Sequence, residues 1–357
     1  MIPGRGEGGE DVPQGTVVAV QANFYQVRLL GGGESVLCTR RSRLKKLGQK
    51  VMVGDRVMVE EIDEVDRRGA IAEILPRQTL LERPPVANAE QILLVFSLAE
   101  PPLDPWQLSR FLIKAELTEL SPCLCLNKLD LVSPSEQAAW QERLQQWGYN
   151  PLLISVEQRK GLDRVLGQLA GKITVIAGPS GVGKSSLINQ LIPDATLRVG
   201  EVSGKLQRGR HTTRHVELFE LPMGGLLADS PGFNKPDLDC DPTELVYAFP
   251  EAREALGQGA CQFSDCLHRD EPNCQVRGDW ERYDHYLKFL EEAIARQELR
   301  QQRPDEEEAL KLKIKGSGER VYEPRLESKK YRRRSRRSRH QALQDLVEEV
   351  QSEELES

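Results

Sequence analysis

The strongest constraint on this chain is the order of two short strings. Asn127-Lys128-Leu129-Asp130 precedes Gly178-Pro179-Ser180-Gly181-Val182-Gly183-Lys184-Ser185. The second string is a glycine-rich turn of the kind that wraps phosphates, and the first has the makeup of a loop that reads a purine edge. Nucleotide switches that carry both normally run the other way round. At average residue usage the first pattern turns up in about one chain of this length in twenty, and the second in about one in a hundred. Both together, each after an apolar strand-like run, require a nucleotide-binding α/β domain whose chain has been circularly permuted.

The flanking pattern supports such a domain. Gln91–Leu98, Pro122–Leu126, Pro151–Val156, Ile173–Ala177, Val216–Leu221 and Gly225–Ala228 are apolar and strand-like. Helical stretches at Pro105–Leu117, Ser135–Trp147 and Ser185–Leu191 alternate with them, which predicts a doubly wound, mainly parallel sheet over 85–235. Cys123 and Cys125 fall in a strand and read as core. Before it, residues 15–84 carry five short strand-like runs, Thr16–Val20, Tyr25–Leu29, Ser35–Cys38, Val51–Glu60 and Ala70–Leu75, broken by glycine turns. These fit a small barrel, OB-type or else SH3-like, with the basic stretch 39–46 on a loop or edge where RNA backbone could lie. Residues 236–300 hold a cysteine-bearing loop and a helix with Trp280, Tyr283, Leu287, Leu290 and Ile294 on one face, a packing stripe. The Gly-rich start 1–14 and the charged tail 301–357 are expected to lack fixed structure.

A chain of 357 residues suggests two or three domains. The net charge of −6 excludes an indiscriminate polyanion binder, but the charge is uneven, with a basic run at 329–340 and acidic residues at 345–356. That run reads either as a solvated tail or as a nucleic-acid contact. No run of roughly 20 apolar residues occurs, so no membrane span or membrane partner is expected. Seven cysteines without a secretion signal suit a reducing compartment and a cytoplasmic location.

Each motif has a chemical reading. Gly178, Pro179, Ser180, Gly181, Val182, Gly183, Lys184, Ser185 and Ser186 form a loop and helix start whose N–H groups can face phosphate. Lys184 reaches the terminal phosphates and Ser185 ligates Mg²⁺. Asp130 can accept two hydrogen bonds from guanine, N1–H and the exocyclic amine, whereas adenine offers no such pair. Two bonds to a charged acceptor, about 1.5–3 kcal/mol each, give on the order of 10²–10⁴-fold preference for GTP and GDP over adenine nucleotides. Asn127 would bond the base edge or the phosphate loop, the Lys128 stem would cover the ring, and Leu129 lies between them. Ser155-Val156 would bring backbone N–H groups to the guanine carbonyl. Asp229 suits a carboxylate behind Mg²⁺, Gly232 N–H can face the γ-phosphate, and Thr212 or Thr213 would complete the Mg²⁺ shell. Where Ras-like switches place a water-orienting glutamine this chain has Phe233, so His211 becomes the candidate catalytic residue.

Cys261, Cys266, His268 and Cys274 place three thiols and an imidazole within fourteen residues. That is the ligand set of one closed, structural zinc site. Cys240 lies upstream as a bystander.

Taken together these features resemble the RsgA/YjeQ family over roughly residues 15–300. The resemblance rests on the barrel, the reversed motif order, Gly209-Arg210-His211-Thr212-Thr213, Asp229-Ser230-Pro231-Gly232 and the Cys₃His spacing. It implies an α/β P-loop GTPase, circularly permuted with a mainly parallel sheet, an N-terminal OB-type β-barrel and a C-terminal helical zinc-binding domain. It also implies a GTPase of late small ribosomal subunit maturation, stimulated by the subunit and its 16S rRNA, with hydrolysis driving release. The protein is expected to be a monomer. Relatives lack the same glutamine, and the loop histidine is the proposed substitute. Arg214 departs from the third threonine of many relatives, and the tail 301–357 is not part of the shared core. The alternative is a GTP-responsive RNA-binding module with negligible hydrolysis. An ATPase is disfavoured by Asp130.

Overall fold

The computed structural model describes residues 13–31, 35–82, 84–192, 216–229, 238–302, 310–314 and 320–324. They fall in two compact units, Met1–Ile294 and Ala295–Ser357. In the first unit, alternating apolar positions close a barrel from β1 (Gln14–Gln21), β2 (Phe24–Leu29), β3 (Ser35–Arg40), β4 (Arg56–Asp63) and β5 (Arg68–Ile74). The strand order is β1-β2-β3-β5-β4, with β3 and β5 parallel and the other pairs antiparallel. That is OB-type topology, and it settles the choice against an SH3-like barrel. A short helix, α1 (Ser42–Lys46), sends Leu44 into the barrel core beside Val17, Val27, Val57 and Ile71. The basic stretch 39–46 comprises the end of β3, Arg41 and α1.

The expected strand Val51–Glu60 starts only at Arg56. Gly54 has φ +87°, and the Asp55 carboxylate accepts the Met52 N–H at 2.7 Å, which turns 51–55 into a loop. This loop is locked to the following segment. Fully buried Asp55 also takes Arg77 Nε at 2.7 Å and Nη2 at 3.0 Å, and Asn88 Nδ2 donates to the Gly54 carbonyl at 2.9 Å. The segment itself is a hairpin of β6 (Leu80–Glu82) and β7 (Pro85–Ala87), so the expected boundary at 84–85 lies in its turn.

Next comes the α/β sheet. Its strands are β8 (Gln91–Ser97), β9 (Ser121–Asn127), β10 (Leu152–Leu153), β11 (Ile173–Ala177), β12 (Leu218–Glu220) and β13 (Leu226–Asp229). The order is β10-β9-β8-β11-β13-β12, and every pairing is parallel except β12–β13. β8 and β11 are buried along their whole length, as expected of parallel strands covered on both faces. The helices are α2 (Pro105–Glu116), α3 (Pro134–Gln146), α4 (Leu162–Leu169) and α5 (Lys184–Leu191). Asp104 caps α2, and Ser133 with Glu136 forms a capping box on α3. β10 is shorter than expected because Ser155 leaves the sheet to pair with Lys160.

The chain then forms α6 (Pro250–Gln258), the cysteine loop and α7 (Tyr283–Gln302). Leu287, Leu290 and Ile294 pack with Phe249, Tyr286 and Phe289, and Ile113 of α2 joins the same core. Trp280 packs there too but precedes the helix. Arg282 is fully buried, paired with Glu251 at 2.7 Å, and its guanidinium lies 4.8 Å from the Trp147 ring centre and 5.0 Å from that of Phe249. Trp147 follows α3, so this arginine fastens the cysteine-bearing module to the α/β sheet. In the second unit, part of the tail expected to be unstructured pairs as a hairpin, β14 (Leu310–Ile314) with β15 (Arg320–Pro324). The basic run 329–340 lies outside the described residues. Among those residues no helix is long and apolar enough to cross a membrane.

Candidate nucleotide and metal sites

Parallel strands of an open α/β sheet end on one edge, and the loops after them converge there. β8, β9 and β11 deliver three such loops side by side, because the sheet places β8 between the other two. The reversed chain order is thereby undone in space. Asn127, 2 % exposed at the end of β9, makes the join itself. Its Nδ2 donates to the Val182 carbonyl of the phosphate loop at 2.9 Å, and its Oδ1 accepts the Val156 N–H at 3.1 Å. Of the two partners open to Asn127 in the sequence, it bonds the phosphate loop.

Glycine makes that approach geometrically possible. A Cβ on Gly183 would lie 2.5 Å from Asn127 Nδ2, and a Cβ on Gly178 would lie 2.0 Å from the Val95 carbonyl of β8. Gly178, Gly181 and Gly183 all have positive φ, of 144°, 83° and 96°. Lys184, 8 % exposed, starts α5 and folds its Nζ back onto the carbonyls of Gly178 and Pro179 at 2.7 and 2.6 Å. Ser185 and Ser186 are half-buried in the first turn, while Pro179 is half-buried and Ser180 exposed on the loop.

On the other side Lys128 adopts a left-handed conformation, φ 63°, and Leu129–Leu131 forms a single 3₁₀ turn with Leu129 buried. The half-buried Asp130 carboxylate accepts the hydroxyl of buried Ser155, whose Oγ in turn accepts the Gln158 N–H at 3.0 Å. Lys128 Nζ donates to the Glu100 carbonyl in the loop after β8. That loop was not foreseen as part of the site. The available signal was Ser97, a polar residue closing the apolar run Ile92–Phe96. Asp229 ends β13 with its backbone paired to Ile176. His211, Thr212, Thr213 and Gly232 lie outside the described residues.

The second cluster is separate. Cys261, Cys266, His268 and Cys274 bring four ligand atoms within 4.8 Å of one another. His268 Nδ1 lies 3.5 Å from Cys261 Sγ, 3.5 Å from Cys266 Sγ and 3.3 Å from Cys274 Sγ, and Cys261 Sγ is 4.0 Å from Cys274 Sγ. A tetrahedron with metal–sulfur bonds of about 2.3 Å and a metal–nitrogen bond of about 2.0–2.1 Å has edges of roughly 3.5–3.8 Å, so the donors already sit near its corners. Backbone N–H groups of Gln275 and Arg277 point at Cys261 and Cys274 Sγ at 3.4 Å. Burial pushes the Cys266 thiol up to about 12 and holds the His268 imidazolium below its usual range. A neutral imidazole is the ligand form, and a bound dication would have to displace the thiol protons. Tyr283 and Tyr286 hydroxyls clamp the loop by donating to the His268 and Leu267 carbonyls, each at 2.8 Å. Cys240 takes no part in the cluster.

The RsgA GTPase family profile matches residues 74–239. A small ribosomal subunit biogenesis GTPase RsgA of Trichormus variabilis is 65% identical and covers 94% of this chain and 97% of that protein. A protein of the same name from Synechocystis is 54% identical, with coverages of 96% and 97%. Among solved structures, YjeQ from Thermotoga maritima superposes with a TM-score of 0.68 at 32% identity, over 79% of this chain and 98% of that one. YloQ, described as a circularly permuted GTPase, gives 0.68 at 33% identity over 82% and 99%.

Proposed function

We propose an activity from one premise: the chain belongs to the RsgA family of circularly permuted GTPases. It is a GTP hydrolase that acts in maturation of the small ribosomal subunit. In the proposed cycle the protein is a cytoplasmic monomer that binds the immature subunit in its GTP form, and the subunit stimulates hydrolysis. The barrel of residues 15–84 and the cysteine-bearing module of 236–300 hold 16S rRNA on either side of the GTPase domain of 85–235, and GDP formation releases the complex. The single observation that carries the nucleotide reading is the bond from Asn127 to Val182, which ties the base loop to the phosphate loop.

In this reading each residue has a task. Lys184 exchanges the Gly178 and Pro179 carbonyls for β- and γ-phosphate oxygens, joined there by the phosphate-loop N–H groups, those of Ser185 and Ser186, and Gly232 N–H. Asp130, oriented by the Ser155 hydroxyl, accepts from guanine N1–H and the exocyclic amine, and Val156 and its neighbours present N–H groups to the guanine carbonyl. Ser185 and one of Thr212 and Thr213 ligate Mg²⁺, with Asp229 behind them. His211 positions the attacking water, a role open because Phe233 cannot. One structural zinc ion is held by Cys261, Cys266, His268 and Cys274, and it fixes the loop that Tyr283 and Tyr286 grip.

The test is GTP hydrolysis by the full chain at limiting protein, with small subunits, large subunits or neither. Stimulation by small subunits alone is expected, and most of it should vanish in His211→Ala. Equal turnover in all three arms, or none, would overturn the proposal. The competing reading, a binding module without hydrolysis, predicts the flat result.

A further inference from the structure

The loop between β8 and α2, residues 98–104, has no place in the assignments above, yet it meets the pocket three times. Lys128 Nζ donates to the Glu100 carbonyl. A Cβ on Gly181 would lie 3.5 Å from Pro101 Cδ, so this loop and the phosphate loop are in contact range. Leu98 N–H donates to the Asn127 carbonyl at 3.1 Å. Buried Leu98 and Leu103 root the ends of the loop in the core, and one side chain holds its middle. Ser97, 1 % exposed at the end of β8 and paired with Asn127, donates its hydroxyl to the Pro101 carbonyl at 2.8 Å.

We propose that Ser97 is a positioning residue for guanine-nucleotide retention: its hydroxyl pins the 98–104 loop so that the Glu100 carbonyl anchors Lys128 across the base pocket. The proposal rests on the nucleotide reading above and deepens it. Lys128 is a long, flexible side chain, and holding it extended over the pocket costs rotamer freedom unless its ammonium has a fixed acceptor. A backbone carbonyl serves only if its own peptide is held, and the adjacent Pro101 carbonyl is held by Ser97. Loss of the hydroxyl leaves the Pro101 carbonyl without that donor and lets the anchor drift. Ser97 touches no nucleotide atom in this scheme and acts through Lys128.

The experiment is dissociation of a fluorescent GDP analogue from the full chain, chased with unlabelled GDP, for wild type, Ser97→Ala, Ser97→Thr, Lys128→Met and the Ala/Met double variant. One buried neutral hydrogen bond corresponds to roughly a three- to tenfold faster release in Ser97→Ala. Ser97→Thr, which keeps the hydroxyl, should release GDP as wild type does. The decisive arm is the double variant. If Ser97 acts through Lys128, the alanine adds nothing once Lys128 is methionine. An unchanged rate in Ser97→Ala, or the same acceleration in both backgrounds, overturns the inference. Should the alanine variant lose its melting transition, Ser97→Cys keeps the volume, weakens the hydrogen bond and carries the same comparison. If wild type binds no guanine nucleotide, the parent reading has failed and this one falls with it. Binding by wild type without coupling between the two positions refutes this inference alone.

Discussion

Gly183→Ala is the perturbation in which the contact between the two loops should be most visible. Gly183 sits at φ +96°, where an alanine costs about 1–2 kcal/mol. Its Cβ would also lie 2.5 Å from Asn127 Nδ2, closer than non-bonded atoms approach, so the amide must turn away. Asn127 then loses its bonds to Val182 and Val156. Stranding the two buried polar partners costs about 1–3 kcal/mol for each group, so a total of about 3–8 kcal/mol is expected, against a whole-domain stability of about 5–15 kcal/mol. At about 2–4 °C per kcal/mol for a domain of this size, the melting temperature should fall by on the order of 10–30 °C. The stabilisation normally given by saturating GDP should be lost as well. Gly167→Ala is the matched control: Gly167 lies inside α4 with nothing near its Cβ position, and alanine there should leave stability unchanged or raise it by about 0.5–1 kcal/mol. A scanning-fluorimetry series with and without GDP measures all of this. If Gly183→Ala melts with wild type and keeps its GDP shift, the loops do not depend on that contact and the reasoning is wrong.

Other outcomes follow from the same geometry. Asp130→Asn should cut GTP affinity on the order of 10²–10⁴-fold and move preference toward xanthine nucleotides, read by competition binding. Metal analysis of the purified chain should find one zinc per molecule, and Cys266→Ser should remove it and lower the melting temperature while GDP binding survives; absence of zinc would discard the assignment. His285 stacks at 3.8 Å on Trp106 and is held down to about 4 by burial and by Arg282. Its unfolded form titrates near 6.5, so the unfolded state binds more protons between these values and stability falls as pH drops from about 6.5 to about 4. His285→Phe should flatten that acid limb, and an unchanged pH slope would refute the assignment.

Much of this was legible in the chain because local signals and tertiary demands agree. The run Ile173–Ala177 followed by glycines could only be a strand feeding a phosphate loop, and the clustering of Cys261 to Cys274 carries its own ligand logic. The elements that were missed have physical reasons. α4 is eight residues long, opens at Gly161 and contains Gly167, so its apolar spacing is drowned by turn residues. α6 carries only a short apolar stripe with Ala252 buried, and most of its length is polar. Val51–Asp55 has strand composition, but Gly54 must take a left-handed turn to lie against the Ala87 carbonyl. That demand comes from Ala87, more than thirty residues away. Ser97 acts on Lys128 through a carbonyl four residues on, at Pro101, and Arg282 acts through the remote Glu251 and Trp147. No window of sequence around them announces those contacts.

The claim on which the account stands is that one pocket, built from loops in reversed chain order, grips a triphosphate and selects guanine. Titration calorimetry of the full chain in magnesium buffer, with GTP and ATP in parallel, tests it most directly. The account predicts GTP binding at least about 100-fold tighter than ATP, from two charge-assisted bonds at Asp130. Equal affinities for the two, or heat from neither, would contradict it.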